Sequence, residues 1–134
     1  MARLSGDLEQ RVSRLQALWP CRIELTIEPP DLSTSVTAAS NIGHMVAEAV
    51  SNAVRHGEAT QVIIRLSERD DCIALTIRDN GRGFKSLVAP GEEGVGRIRK
   101  GGPLSLRSRV DDLGGRFFLE SSDEGTLLTM ELPA

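Results

Sequence analysis

The stretch TIRDNGRGF, residues 76–84, decides how this chain is read. Asp79-Asn80-Gly81 has the composition of a sharp hairpin turn, yet no second strand follows it. After Phe84 the chain runs KSLVAPGEEGVGRIRKGGP, residues 85–103, with neither strand alternation nor a sustained helical stripe. Two readings stand. One is a plain Asn-Gly turn. The other is a strand that ends at a ligand, where Gly81 and Gly83 permit positive φ and remove side-chain bulk, so that the ligand can lie against the backbone. On the second reading Asp79, at the strand's mouth, accepts a hydrogen bond from a buried amino group. A charged acceptor there is worth roughly 1.5–3 kcal/mol, enough to select one base over another.

Working outward, CIALTIRD (72–79) and TQVIIRLSE (60–68) alternate as strands joined by the polar turn RDD. Downstream, LSLRSRVDDL (104–113) reads as a short helix ended by Gly114-Gly115, and RFFLESS (116–122) and TLLTMELP (126–133) form a hairpin across DEG. Upstream, residues 33–56 read as a helix with Ser33 or Thr34 as N-cap and Gly57 just past its end. CRIELTIE (21–28) is a half-buried strand closed by Pro29 and Pro30. Residues 4–19 place Leu4, Leu8, Val12, Leu15, Leu18 and Trp19 on one side of a helix that Pro20 stops. The sum is an α+β two-layer sandwich: a mixed, mostly antiparallel sheet of about five strands packed on three helices.

The central helix carries a long polar line. Ile42, Met45, Val46, Ala49, Val50, Ala53 and Val54 form its core side, against Asn41, His44, Glu48, Ser51, Asn52, Arg55 and His56. Glu48, Asn52 and His56 are four apart and stack along one edge. A solvated helix face accounts for most such lines. Two features favour a site instead. Asn competes with the backbone for hydrogen bonds in mid-helix, and Ala47, Ala49 and Ala53 let another group approach closely.

Bulk properties narrow the function classes. At 134 residues the chain suits one domain. A net charge of −3 argues against a general nucleic-acid backbone binder. No apolar run approaches the ~18 residues of a membrane span, so no membrane contact is expected, and the chain reads as cytoplasmic. Cys21 and Cys72 allow one disulfide but read more simply as two buried reduced thiols. Neither pairs with a histidine at zinc-ligand spacing. The GxxxxGK[ST] phosphate loop, the GxSxG elbow and the kinase HRD and DFG sets are all absent. Gly101-Gly102 offers backbone N–H groups to a phosphate at a helix start, or is a loop end. Gly125-Thr126 reads most simply as a hairpin turn.

Taken in order, these pieces resemble the ATP-binding domain of the GHKL superfamily (gyrase, heat-shock chaperone, histidine kinase, MutL), whose fold is the Bergerat sandwich. EAVSNAVRH, Glu48 to His56, looks like the N box; DNGRGF, Asp79 to Phe84, like the first glycine box. GGPLSLRSRVDDLGG, Gly101 to Gly115, resembles the second glycine box and its helix, and EGTLLTMELP the terminal Gly-Thr strand. The resemblance covers residues from about 20 to 134, and its closest form is the sensor histidine kinases that partner LuxR-type response regulators. It implies that the opening stretch ends a strand at adenine and that a lid over the phosphates follows. Asp79 would bind the exocyclic amino group of adenine, Asn52 would hold Mg²⁺, and Glu48 would act as general base or orienting group. Arg55 and His56 would stabilise phosphate charge, Thr126 would sit near the adenine, and Gly81, Gly83, Gly101 and Gly102 would let the lid move and the backbone approach.

The second glycine box departs from the family's GxGL core, reading Lys100-Gly101-Gly102-Pro103. The resemblance implies phosphoryl transfer from ATP to a histidine on a separate phosphoacceptor dimerisation domain, in the parent protein or in trans, with a response regulator acting afterwards. His44 and His56, the two histidines of this chain, both lie on the nucleotide helix and match no phosphoacceptor motif. Residues 1–19 are accordingly expected to be what remains of a preceding helix, and 20–134 the catalytic domain. The competing functions are an anti-sigma-factor serine kinase, and a non-catalytic nucleotide-binding or dimerisation module.

Overall fold

The computed structural model describes residues 2–81, 103–122 and 124–133. Gly83, Lys100, Gly101 and Gly102 of the two glycine boxes lie outside the described residues. In chain order the elements are β1 (Ala2–Arg3), α1 (Leu4–Leu18), β2 (Arg22–Glu28), β3 (Ser33–Thr34), α2 (Val36–Arg55), β4 (Gln61–Arg69), β5 (Cys72–Asp79), α3 (Pro103–Asp112), β6 (Arg116–Ser122) and β7 (Gly125–Pro133). The five runs of alternating sequence become one sheet in the order β2-β4-β5-β7-β6. β2 and β4 run parallel, which requires a crossover, and α2 supplies it. All other neighbours in the sheet are antiparallel.

One face of the sheet is apolar because every second residue is. Val62, Ile64 and Leu66 of β4, Ile73, Leu75 and Ile77 of β5, and Leu128, Met130 and Leu132 of β7 are all buried. The helices cover them with Ile42, Met45, Val46, Ala49, Val50 and Ala53 from α2 and Leu106 and Val110 from α3. Each fully buried large aliphatic contributes about 1.5–3 kcal/mol relative to exposure. The other sheet face carries Arg65, Arg78 and Phe118 toward solvent. Together these layers are the α+β sandwich expected from the sequence.

Leu4, Leu8 and Val12 of α1 enter the same core, with Leu15 and Trp19 partly buried beside them. Leu18 departs from its place in the apolar stripe and is exposed. The helix ends there, and the extended backbone at Trp19 breaks the helical periodicity. Gly43 lets α1 and α2 approach: a Cβ there would stand 2.7 Å from Arg11 Nε.

The start of α2 differs from the expected cap. Ser35 is the N-cap, its hydroxyl accepting from the Ala38 N–H at 3.1 Å. Ser33 and Thr34 instead form β3, a short ladder against β1, so the extended backbone they adopt there delays the helix. At the other end His56 and Gly57 close the last turn, donating their N–H groups to Asn52 and Ala53 carbonyls. Both cysteines are free thiols; Cys21 is buried, whereas Cys72 is only half-buried at the first residue of β5.

Candidate functional site

Asp79 is the last residue of β5, and three elements converge on it. Its carboxylate accepts the Gly81 N–H on Oδ1 at 2.9 Å and also the N–H of Thr126, its cross-strand partner on β7. Burial pushes the Asp79 carboxyl above the ordinary aspartate value of 3.8, and the two N–H donors pull against that rise. A carboxylate has about four acceptor positions, so two remain for a ligand. Cys21, at the mouth of β2, is close enough to feel this group. Burial chiefly raises its thiol pKa, and the Asp79 charge adds to the rise.

The turn after Asp79 is built by tertiary contacts, not by a hairpin. Asn80 Oδ1 accepts the N–H groups of Thr60 at 2.9 Å and Gln61 at 3.0 Å. Its Nδ2 donates to Thr60 Oγ1 at 3.0 Å, and its own N–H donates to the Gln61 carbonyl at 3.2 Å. Gly81 then lies against Gly57, two residues past the end of α2: a Cβ on it would stand 2.6 Å from the Gly57 carbonyl oxygen. Across the sheet, Gly125 has φ +144°, and a Cβ there would collide with the Asp79 carbonyl oxygen. Thr126, 3% exposed, shares a hydroxyl–hydroxyl hydrogen bond of 3.2 Å with Ser121.

The end of α2 thus meets the Asp79 turn through Gly57 and Gly81. Asn52, placed on the polar side of the helix by its neighbours, is in fact 3% exposed. Its Nδ2 has no hydrogen-bond partner among the described residues. An unpaired buried amide costs roughly 1–3 kcal/mol. Glu48, one turn before it, and His56, one turn after, are half-buried, while Arg55 and His44 are exposed. Asp79, Gly81 and Thr126 are joined by hydrogen bonds. Among the described residues no hydrogen bond or ion pair ties the side chains of Glu48, Arg55 or His56 to that cluster.

The sequence reading missed Asn80, Thr60 and Gly57. Locally Asn80 reads as a turn former, and its partners lie 19 and 20 residues away, beyond any local pattern. A hollow of about 500 Å³ also borders the Asp79 turn, lined by Ile63, Arg78, Asn80, Glu120 and Leu127 among others. Asp79, Gly125 and Thr126 line it too, whereas among the described residues none of α2 does.

Residues 37–134 match the family described as "Histidine kinase-, DNA gyrase B-, and HSP90-like ATPase". Over 131 residues the sequence is 28% identical to the Sensor protein VraS of Staphylococcus aureus (strain COL), covering 97% of this chain and 35% of VraS. The Signal transduction histidine-protein kinase/phosphatase DegS of Bacillus subtilis (strain 168) is 32% identical over 87 residues, 64% of this chain and 22% of DegS. The chain therefore spans about a third or less of the length of these curated relatives. The ATP binding domain of PrrB from Mycobacterium tuberculosis superposes with a TM-score of 0.69 at 23% identity, covering 99% of this chain and 95% of that one. A histidine kinase domain from a blue-light activated histidine kinase of Erythrobacter litoralis gives 0.75 at 18% identity, over 99% and 66%. At such identities these two structures establish a common fold.

Proposed function

Because the chain belongs to the histidine kinase-, DNA gyrase B- and HSP90-like ATPase family, we propose that it is the ATP-binding catalytic unit of a sensor histidine kinase. It binds Mg·ATP and passes the γ-phosphoryl group to a histidine on a helical dimerisation domain, in the same protein or in trans. The P–O bond to ADP breaks as a P–N bond to the imidazole forms. A LuxR-type response regulator acts downstream, and the whole operates in the cytoplasm. Within such a protein α1 marks where an upstream helical segment enters. No helix among the described residues is long and apolar enough to cross a membrane.

One observation carries the reading: a half-buried carboxylate, held by the Gly81 and Thr126 N–H groups, adjoins the end of the helix that bears the buried Asn52, whose Nδ2 has no partner among the described residues. Asp79 takes the exocyclic amino group of adenine on its remaining lone pairs. Gly81 and Gly125 keep the floor free of side chains. Asn52 fits a metal-ligand role, since its Nδ2 has no partner among the described residues and a half-turn about its last torsion exchanges nitrogen for oxygen. Mg²⁺ bound with the nucleotide would neutralise phosphate charge, with water completing its coordination. Glu48 orients or deprotonates the attacking group, and Arg55 and His56 balance phosphate charge from the end of α2. Thr126 supports the adenine end. Catalysis of this type is mainly positioning and electrostatics.

Calorimetric titration with Mg·ATP and ADP, followed by label transfer from γ-labelled ATP to an added phosphoacceptor domain, tests the proposal. Expected are binding of both nucleotides, and acid-labile phosphohistidine only when the acceptor domain is present. No binding at millimolar nucleotide, or label on serine, refutes it.

A further inference from the structure

We propose that Asn80 is a positioning residue: from outside the pocket it sets the direction in which Asp79 presents its carboxylate, and it locks that direction to the end of α2. The inference rests on the reading of Asp79 as the purine contact. Asn80 is exposed, so solvent could satisfy its amide, yet side chain and backbone together make four hydrogen bonds to Thr60 and Gln61. All four reach the same short segment. Thr60 is itself a junction, because its carbonyl accepts the Arg22 N–H at 2.9 Å and so ties in the start of β2. Three strand ends, those of β2, β4 and β5, meet at one asparagine.

The segment 57–61 also links the two halves of the site. It begins at Gly57, whose carbonyl lies against Gly81, and Ala59 donates its N–H to the Ala53 carbonyl of α2 at 2.9 Å. Fixing Asp79's neighbour to Thr60 and Gln61 therefore fixes the carboxylate relative to the helix that carries Asn52. A turn formed by the Asp-Asn-Gly sequence alone would lack this connection. The side chain of Asn80 thus does what a hairpin would otherwise do, both edges of β5 being taken by β4 and β7.

The test uses the purified chain and four variants, Asn80→Ala, Asn80→Asp, Thr60→Ala and Asp79→Ala. ADP and GDP affinities are read by calorimetry, with thermal unfolding alongside. Asn80→Ala is expected to weaken ADP about tenfold, which is about 1.4 kcal/mol, and to lower the preference for ADP over GDP. Asn80→Asp keeps the acceptor for both N–H groups, and its exposed charge is screened at physiological salt, so it should recover most of the affinity. Thr60→Ala removes only the hydroxyl acceptor and should show the same change of preference to a smaller degree. A lower melting temperature in Asn80→Ala or Thr60→Ala with unchanged ADP affinity and unchanged preference overturns the proposal, provided Asp79→Ala still loses ADP. Unchanged ADP binding in Asp79→Ala as well would instead sink the adenine assignment itself. Should Asn80→Ala fail to fold, Asn80→Asp and Thr60→Ala decide the matter by the same two readouts.

Discussion

Gly81→Ala is the sharpest single perturbation of the site. The new Cβ would stand 2.6 Å from the Gly57 carbonyl oxygen and 3.2 Å from Asp79 Oδ1. Close carbon–oxygen contacts settle at about 3.3 Å or more, so the Gly57 and Gly81 segments must separate by roughly 0.7 Å. The Gly57 carbonyl is backbone, just past the end of a 20-residue helix, and cannot rotate away as a side chain would. Overpacking of this kind costs about 1–3 kcal/mol. The same movement breaks or lengthens the Gly81 N–H bond to Asp79, so part of the cost falls on ligand binding. An equilibrium change of about 1–3 kcal/mol corresponds to roughly 5–150-fold, and ADP affinity should fall within that range. Calorimetry measures it, and Gly6→Ala is the control. Gly6 sits in α1 with nothing within 4 Å of an added Cβ, so alanine there should raise stability by about 0.5–1 kcal/mol and leave ADP alone. Gly81→Ala binding ADP as tightly as the parent, with the same melting temperature, would refute the reasoning.

Asn52→Ala should abolish the dependence of nucleotide affinity on Mg²⁺ while stability moves by no more than about 1 kcal/mol, since the lost Nδ2 strands no partner among the described residues; titrations with and without the metal check this. Ligand-free Asp79→Asn should gain stability relative to the parent as pH rises toward neutral. The Asp79 pKa is raised in the fold, so its stabilising contribution belongs to the protonated form, is complete below the unfolded value and is lost as pH rises through the folded value. Thermal unfolding across pH reads the sign, and a relative loss at neutral pH contradicts it. Leu8→Ala should cost about 2–5 kcal/mol, because Leu8 is 0% exposed in the shared core; a chemical denaturation midpoint close to the parent's would show that α1 is dispensable to the fold.

The fold was legible where burial follows a period. CIALTIRD and RFFLESS became β5 and β6 with the expected ends, because alternation and turn residues act locally. The start of α2 was not legible: Ser33, Thr34 and Ser35 offer equivalent caps, and only pairing with Ala2 and Arg3 removes the first two from the helix. Asn52 was visible as an odd residue, but its burial was not, because position 52 lies at the border between the two helix faces and its neighbours across the fold decide. The carboxylate at Asp79 was legible as a strand-end acceptor. The bracing by Thr126, and by Thr60 and Gln61 through Asn80, was not, since these partners are distant in sequence and met only through sheet order.

That order has a consequence for biosynthesis. β7 follows β6 in the chain yet inserts between β5 and β6, so translation delivers a central strand after its neighbours on both sides. Until the ribosome releases this segment, β5 has an open edge and Asp79 lacks the Thr126 N–H. If Asp79 is the purine contact proposed above, adenine cannot be gripped before β7 emerges, and until then the edge of β5 is open to pairing with other chains.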